Sequence, residues 1–474
     1  MYTLLEKNAM LFGEDIGFHC DAFQLTYNEA WSNVKRLANE LKKYGVKRGT
    51  KVALISEDAI NFTQFFMAIS KCKAACMPMY LKMGLDKFHS LLEFYQVNFI
   101  MTDHRLEDTG ENIKYCERLL EGKTNYYLYE NSGYSLDDTI TDIELMLFSS
   151  GTTSIPKVIM LSKENMISNI EAIKKYLKIT RMDRVLIVKN MNHVSSIVGE
   201  YLVALSSGST IYFTTKLIRT KTIFDIVEHN KISILFAIPF ILDNILKYKF
   251  INHYDLSSLR IVNFYGGKMQ HEKIIKLCEK LPNVNFIYSY GLTEASPRVT
   301  YITKNELLTK VGSCGRAVDG VEVCIRDENG RLVSGGVIGE ITVKGPNVMQ
   351  GYYKNLELTK KTIRENELFT KDLGFLDDDG YLYVVGRKDN MFIIAGKNVQ
   401  PEEIEEILNE DSNVVNSLVR KESEDSEKIC AYVTLNHQED HCLERLSLLC
   451  RNHLEFYKIP NVIYIIRNLE KSVV

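Results

Sequence analysis

The sequence predicts an α/β protein with a large N-terminal domain of stacked, mostly parallel α/β subdomains plus a small β-barrel, followed by a small α+β C-terminal domain. Three observations predict this architecture. Up to about residue 300, short apolar runs alternate with amphipathic helical patterns, as in βαβ units with buried parallel strands. After about residue 310, frequent glycines and an apolar period of two indicate antiparallel strands. After residue 389, strand and helix patterns alternate again.

The elements of the N-terminal domain can be assigned in chain order. Residues 23–49 have apolar side chains at helical spacing and predict a helix that ends at Gly45. KVALISE follows as a strand, and residues 59–80 return to a helix. Short β-branched or aromatic runs, each bounded by Gly, Asp, Asn or Pro, then predict strands at VNFIMTD, DRVLIVK, STIYFTT, SILFAIP, LRIVNFYG and VNFIYSYG.

The last third of the chain carries different signals. The turn DENG lies between period-2 strands in a barrel segment at about residues 310–388. A helix is predicted behind Pro401, because proline suits the first helical position and acidic residues follow it. We therefore expect an N-terminal domain over residues 1–388 and a C-terminal domain over residues 389–474.

Length and composition exclude several classes of protein. A chain of 474 residues exceeds one core of ordinary size, and its formal net charge of −3 provides no basic field for nucleic acid. The longest apolar run is interrupted by Pro239 and Asp243 and is too short for a membrane span, which needs about 20 residues. The N-terminus lacks the pattern of a secretory signal. We expect a cytoplasmic protein that does not bind nucleic acid.

The stretch FSSGTTSIPK, residues 148–157, is the first candidate functional segment. Gly151 permits a tight turn, and five hydroxyl side chains with several backbone N–H groups suit an anion with many oxygens, such as a polyphosphate. Lys157 adds a positive charge. The stretch lacks the second glycine and the helix-start lysine of a Walker A loop. Taken alone, it could also be a solvated serine- and threonine-rich loop.

Three further segments add chemistry to this loop. In YSYGLTEAS, Tyr290 could stack on a base and Glu294 is a hard oxygen ligand for a divalent cation. In TKDLG, Asp372 could accept hydrogen bonds from two ribose hydroxyls. The third segment, GRKDNMFIIAGKNVQPEEIE, covers residues 386–405.

With these segments the chain resembles the acyl-activating, AMP-forming superfamily, which includes acyl- and aryl-CoA ligases, nonribosomal peptide adenylation domains and firefly luciferase. FSSGTTSIPKVI resembles the family's phosphate loop, [YF]TSGTTGxPKGV. YGLTE resembles its YGxTE, TKDLG its TGDxG, and GRKDNMFIIAGKNVQPEEIE its GRxDDxIxxxGxxVxPxEIE. GEITVKGPNVMQGYYKN is similar to its barrel segment. The motifs occur in family order over residues 147–405 and cover nearly the whole chain.

The resemblance implies that ATP activates a carboxylic acid as an acyl-adenylate with release of pyrophosphate. The acyl group then passes to the phosphopantetheine thiol of coenzyme A or of an acyl or peptidyl carrier protein. Catalytic roles are implied for Thr152, Lys157, His193 and Glu294, with Glu294 and Thr152 holding Mg²⁺. The implied nucleotide-binding residues are Ser149, Ser150, Gly151, Thr152, Thr153, Ser154, Lys157, Gly266, Gly267, Tyr288, Tyr290, Gly291, Thr293, Asp372 and Arg387.

The acid is expected not to be an α-amino acid. Amino-acid-activating members carry an aspartate that pairs with the substrate ammonium, and Ser195 stands at its place. An unpaired buried ammonium would be costly. His193 stands where acyl- and aryl-CoA ligases carry histidine, although it could equally be a packed strand-end residue. The implied acid pocket comprises His193, Ser196, Gly199, Phe264 and Gly291.

The resemblance also implies a mobile C-terminal domain. Asp389 falls at the family's hinge, where its alternative role is that of a surface turn residue, and Gly396 would approach the thiol's tunnel. The chain departs from the family where glycine or a small residue is usual, and these departures leave ATP use expected and its efficiency open. The positions are Ser154, Val158, Lys268 and Lys371.

A family lysine that contacts the reacting carboxylate is not found at the C-terminus. Leu469 and Ser472 align with the pattern that precedes it, and Lys471 lies about five residues too early, or roughly 16 Å in an extended strand. Either the sequence stops short, the natural protein lost the lysine, or another group serves. This leaves open three alternatives: an amino-acid-activating domain, a nucleotide-binding pseudo-enzyme with weakened adenylation, and a luciferase-like oxygenase, which nothing supports.

Overall fold

The structure is a computed structural model that describes residues 1–80, 84–106, 113–121, 124–131, 133–148, 156–394, 397–423, 426–437 and 440–466. These residues form two compact units. The first contains Met1–Val311, Gly315–Glu322 and Val343–Leu368. The second contains Gly312–Cys314, Val323–Thr342 and the described residues from Phe369 onward. The predicted domain boundary at residues 388 and 389 stays a prediction.

Helices occur throughout both units. In the described part of the chain they are α1 (Thr3–Phe12), α2 (Tyr27–Lys43), α3 (Ala59–Lys71), α4 (Leu85–Phe94), α5 (Lys163–Leu177), α6 (Val194–Ser196), α7 (Val203–Ser206), α8 (Thr220–Asn230), α9 (Pro239–Lys247), α10 (His271–Lys280), α11 (Lys304–Thr309), α12 (Leu356–Thr362), α13 (Pro401–Leu408) and α14 (Cys442–His453). A π-helical turn, Ile197–Leu202, joins α6 to α7.

The strands are short. In chain order they are β1 (Ile16–Cys20), β2 (Phe23–Thr26), β3 (Lys51–Ile55), β4 (Ala75–Pro78), β5 (Phe99–Thr102), β6 (Ile113–Glu121), β7 (Thr124–Asn131), β8 (Ile143–Phe148), β9 (Val158–Ser162), β10 (Arg184–Leu186), β11 (Thr210–Phe213), β12 (Ile234–Ala237), β13 (Ile261–Tyr265), β14 (Asn285–Gly291), β15 (Arg298–Ile302), β16 (Arg316–Ala317), β17 (Glu322–Arg326), β18 (Leu332–Val333), β19 (Gly339–Lys344), β20 (Gly351–Tyr352), β21 (Ile363–Arg364), β22 (Glu367–Leu376), β23 (Leu382–Arg387), β24 (Phe392–Ile394), β25 (Lys397–Val399), β26 (Val414–Lys421), β27 (Ile429–Leu435) and β28 (Val462–Ile465).

Two large sheets organise the first unit. One has the order β16-β15-β14-β13-β12-β10-β11-β1-β2, and its central strands from β14 to β1 are parallel. The other has the order β20-β9-β8-β4-β3-β5-β7-β6, with β8, β4, β3 and β5 parallel. Every residue of β3, β4, β5 and β12 is buried, as expected for parallel strands covered on both faces. The predicted α/β class is confirmed.

The second unit is smaller and contains three sheets or parts of sheets. One has the order β18-β17-β19-β22, with β23 paired to β22. The others are the β24-β25 hairpin and β26-β27-β28. The predicted turn DENG connects β17 to β18, and the predicted helix begins at Pro401 as α13. Helices α13 and α14 bury Ile404, Leu408 and Leu446 in the core of this unit.

The start of one predicted helix was wrong. Residues Phe23–Thr26, expected to be helical, form strand β2, and α2 begins at Tyr27. The reason is a capping box, in which the Thr26 side chain accepts a hydrogen bond from the Glu29 backbone N–H while the Glu29 carboxylate accepts from the Thr26 N–H. No helix in the described ranges combines the length and apolar character that crossing a bilayer requires.

Candidate active site

The phosphate-loop candidate connects two paired strands. Phe148, at the end of β8, is the register partner of Val158, at the start of antiparallel β9. Ser149, Ser150, Gly151, Thr152, Thr153 and Ser154 lie outside the described residues. The sequence analysis placed a helix after this loop but did not predict the intervening strand β9. The run VIMLS supplies that strand because its side chains are mostly buried against the sheet.

Lys157 at the end of this loop lies near the predicted metal ligand. Its Nζ is 5.8 Å from the centroid of the Tyr352 ring, and the Tyr352 hydroxyl donates a 3.0 Å hydrogen bond to Oε1 of Glu294. Pairing of β20 with β9 sets Tyr352 beside Ile159 and so fixes this arrangement. The sequence analysis missed Tyr352, although it lies in the barrel-like segment GPNVMQGYYKN.

Glu294 is positioned by the turn that follows β14. Its backbone oxygen accepts a 2.9 Å hydrogen bond from the Met349 N–H, and the side chain is half-buried within the 3-10 turn Thr293–Ala295. Gly291 is required before this turn, because a Cβ there would lie 1.8 Å from the Pro297 carbonyl oxygen. The glycine of YGLTE therefore has a steric reason independent of any ligand.

The predicted adenine-binding segments meet at one sheet edge. Strands β13 and β14 are parallel neighbours, so Gly266 and Gly267 after β13 lie at the same edge as Tyr290 at the end of β14. Gly266 has a φ of +83°, a conformation that favours glycine. Tyr288 is buried, and its ring stacks on Phe264 with a centroid separation of 5.0 Å.

His193 lies just before the helical segment that contains Ser196 and Gly199. Its ring is solvent-exposed on one side, and Nε2 is 3.3 Å from the Tyr80 hydroxyl. Burial of the remainder and the Lys189 cation lower the pKa of the imidazole, so the ring is neutral at neutral pH. Gly199 sits inside the π-helical turn, a local irregularity that is frequent at functional sites.

A buried charged cluster, composed of Lys189, Glu200, Tyr265 and Arg298, lies beside this segment and was missed by the sequence analysis. The Tyr265 hydroxyl donates to Oε1 of Glu200, and the Arg298 guanidinium carbon is 3.7 Å from the Tyr265 ring centroid. Burial raises the pKa of Glu200 to about 7 despite both nearby cations. The available signal was a glutamate within the apolar run SSIVGEYLVAL.

The remaining predicted residues belong to the second unit. Asp372 and Arg387 are register partners on β22 and β23, with Arg387 Nε 3.5 Å from Asp372 Oδ1. The hinge candidate Asp389 pairs with Lys371, whose Nζ is 2.8 Å from Oδ2. Lys371 has a φ of +65°, which explains why glycine would suit this position. Gly396 and Lys471 lie outside the described residues.

The metal-binding capacity of the site resides in Glu294. No group of three or more His, Cys, Asp or Glu side chains in the described ranges could hold a metal ion by itself. Mg²⁺ is commonly held by one or two carboxylates together with substrate phosphates and water. The half-buried Glu294 carboxylate, held near Lys157 through Tyr352, fits that mode of binding.

Comparison with known proteins places this site in a family. The chain is 26% identical over 460 residues to a 2-succinylbenzoate–CoA ligase of Oceanobacillus iheyensis, covering 95% of this chain and 92% of that protein. It is 27% identical to 4-coumarate-CoA ligase 1 of Narcissus pseudonarcissus, covering 94% of this chain and 86% of that protein.

Solved structures share the fold. O-succinylbenzoate coenzyme A synthetase (MenE) of Bacillus subtilis in complex with AMP superposes with a TM-score of 0.85 at 21% identity, covering 98% of this chain and 95% of that one. Its complex with ATP and magnesium gives a TM-score of 0.84 at 22% identity over 98% of this chain and 96% of that one. The family model described as AMP-binding enzyme matches residues 5–353, and the chain belongs to this family of AMP-binding enzymes.

Proposed function

We propose that the protein is an AMP-forming acid–thiol ligase that converts a carboxylic acid into an acyl-adenylate and then into a thioester. The observation that carries this proposal is the arrangement of Lys157, Tyr352 and Glu294 at the exit of the phosphate-loop candidate. It sets a cation and a metal-binding carboxylate around one tyrosine, which suits a leaving pyrophosphate and its metal ion. Membership of the AMP-binding enzymes supports the nucleotide.

Each group has a definable task in this reaction. The acid's carboxylate attacks the α-phosphorus of ATP, and pyrophosphate leaves. Lys157 would offset charge on the leaving phosphates, while Glu294 would hold Mg²⁺, which neutralises charge as it develops on their oxygens. Tyr352 restrains the Glu294 carboxylate by its 3.0 Å hydrogen bond. We propose that Thr152 assists as a metal ligand.

The nucleotide and acid sites are proposed on the remaining residues. Gly266, Gly267, Tyr288, Tyr290, Gly291 and Thr293 follow or end the parallel strands β13 and β14, and we assign the adenine to them. Asp372 and Arg387 are assigned to the ribose. His193 is neutral and so can donate a hydrogen bond to the acid without adding a charge.

The acid is proposed to lack an α-ammonium group. Lys189 Nζ donates a 3.2 Å hydrogen bond to Ser195 Oγ, at the position where amino-acid-activating relatives carry an aspartate. A cation at this position repels an ammonium, whereas a carboxylate there would bind one. Relatives named as ligases of 2-succinylbenzoate, 4-coumarate and indoleacetate support a plain organic acid.

The thiol acceptor is proposed to be coenzyme A, because the curated relatives are CoA ligases. A carrier protein presents the same phosphopantetheine thiol and is the alternative. A cytoplasmic location remains a prediction.

Exchange of labelled pyrophosphate into ATP tests the first half-reaction. We expect exchange with at least one acid from a panel of aryl and aliphatic acids, and none with the twenty amino acids. Omission of Mg²⁺ should abolish it. Exchange with an amino acid alone, or with no acid at all, would contradict the proposal.

A further inference from the structure

Arg298 carries a buried charge whose hydrogen bonding is incomplete. The residue is only 2% exposed, and its Nε and Nη2 atoms have no hydrogen-bond partner among the described residues. Buried polar groups are normally hydrogen-bonded, and a buried cation without sufficient partners is costly. The arrangement therefore indicates that a partner outside the chain completes it.

The protein groups around Arg298 leave an excess of positive charge. Arg298 and Lys189 both approach the Tyr265 ring, with Lys189 Nζ 4.7 Å from its centroid. Glu200 is the carboxylate that both cations act on, and it is 0% exposed. Two cations face one carboxylate, so the cluster has a formal charge of +1 when Glu200 is ionised and suits an anion.

The excess charge borders the proposed acid pocket. A Cβ added to Gly199 would lie 3.5 Å from Arg298 Nη2 and 3.3 Å from the Pro297 side chain. Gly199 is one of the residues that the family resemblance assigns to the acid. Arg298 also directly follows Pro297, whose carbonyl oxygen contacts Gly291, another residue assigned to that pocket.

The backbone of Arg298 is held firmly. Its N–H donates a 3.0 Å hydrogen bond to Asn169 Oδ1, and its carbonyl oxygen accepts a 2.7 Å bond from Asn169 Nδ2. Asn169 is fully buried on α5. A guanidinium on a fixed backbone, stacked on an aromatic ring, is preorganised to bind a carboxylate with two parallel hydrogen bonds.

We propose that the acid is an acid with two anionic groups, of which one reacts and the other binds to Arg298, with Lys189 contributing to its attraction. This inference rests on the proposed function and narrows its substrate to dicarboxylic acids. The second carboxylate would supply the acceptors that Nε and Nη2 lack and would neutralise the excess charge.

Matched acids test the proposal on the unmodified protein. Aryl and aliphatic dicarboxylic acids are compared with their own monoamides and monomethyl esters, which keep the skeleton and one reactive carboxylate. We expect kcat/KM for pyrophosphate exchange to favour the diacid by roughly 10- to 100-fold, the range for a hydrogen bond to a charged group. Equal or better use of the monoacids would overturn the proposal and leave the proposed function standing.

Variants locate the effect. Arg298→Met should remove the preference for the diacid while retaining use of the monoacid, and Arg298→Lys should restore part of it. The matched control is Arg48→Met, because Arg48 is exposed and pairs with Asp142 elsewhere on the first unit. A preference that survives in folded Arg298→Met would overturn the assignment of Arg298, and if that variant does not fold, the comparison of Arg298→Lys with the native protein decides.

Calorimetric binding of the diacid separates this inference from the proposed function. If no acid supports exchange, the proposed function fails, but a diacid that binds the native protein more tightly than its monoamide still supports the anion site. Equal affinities, or no binding of either acid, would overturn the anion site.

Discussion

Two buried carboxyl groups, one in each unit, have the same pKa and different surroundings. Burial raises the pKa of Glu200 in the first unit and of Glu405 in the second to about 7. Glu405 accepts a 2.7 Å hydrogen bond from the Val419 N–H, which joins α13 to β26. Glu200 lies between two cations, and its Oε2 has no hydrogen-bond partner among the described residues.

The difference shows that a shifted pKa alone does not identify a functional site. Glu405 is explained by the packing of the second unit, because its backbone partner belongs to the adjacent strand. The Glu200 cluster leaves polar atoms of Glu200 and Arg298 unpartnered within the described chain. Incomplete hydrogen bonding distinguishes the two groups, and the following predictions test whether the first unit indeed carries the adenylation chemistry.

The largest effect is expected for Glu294→Gln. The change removes a ligand that neutralises the leaving pyrophosphate, and we expect the rate of acid-dependent exchange to fall about 10²–10³-fold, or roughly 3–4 kcal/mol. The melting temperature should change little, because the side chain is only half-buried. Exposed Glu272→Gln on α10 is the matched control. A large loss of thermal stability would show that Glu294 is structural instead.

A smaller effect, on stability alone, is expected for Glu405→Gln. Because the folded-state pKa is raised to about 7, the protein loses stability as the pH rises from about 4.5 to about 7, and the loss levels off above that. With allowance for partial exposure we expect about 1–2 kcal/mol. Glutamine keeps an acceptor for the Val419 N–H and should remove this pH dependence.

Urea unfolding at pH 5 and pH 8 measures this contribution. The variant should gain stability relative to the native protein at pH 8 and not at pH 5, whereas the exposed neighbour Glu406→Gln should show no such difference. The same stability difference at both pH values would mean that Glu405 titrates normally.

The smallest effect concerns the hinge candidate in the second unit. Asp389→Pro fixes φ, and we expect thioester formation to slow while adenylation is largely retained. Asp389→Asn is the matched control, since it removes the ion pair to Lys371 and keeps the backbone free. That pair is exposed and is expected to contribute at most about 1 kcal/mol. Single-turnover measurements of the two half-reactions decide, and equal slowing of both would argue against a hinge.

Local sequence patterns predicted much of the fold. The family prediction is confirmed by the match over residues 5–353. The run KVALISE forms β3, and the proline before an acidic turn begins α13. These features depend on neighbours in sequence, so periodicity and capping rules capture them.

The side-chain partnerships of the candidate site could not be predicted in this way. Tyr352 reaches Glu294 because β20 pairs with β9, nearly 200 residues earlier in the chain. The contact of Arg298 with Tyr265 likewise depends on the order of strands within a sheet. Such contacts arise from tertiary packing and leave only weak marks, such as a lone glutamate in an apolar run.

The most direct test of the central claim follows one oxygen atom. In a reaction through an acyl-adenylate, an oxygen of the acid's carboxylate becomes bonded to the α-phosphorus and stays there when the thiol attacks. With ¹⁸O-labelled acid, ATP, Mg²⁺ and coenzyme A, we predict one ¹⁸O atom in each AMP formed and none in pyrophosphate, as read by mass spectrometry. Label in inorganic phosphate with ADP as the nucleotide product, or unlabelled AMP, would contradict the account.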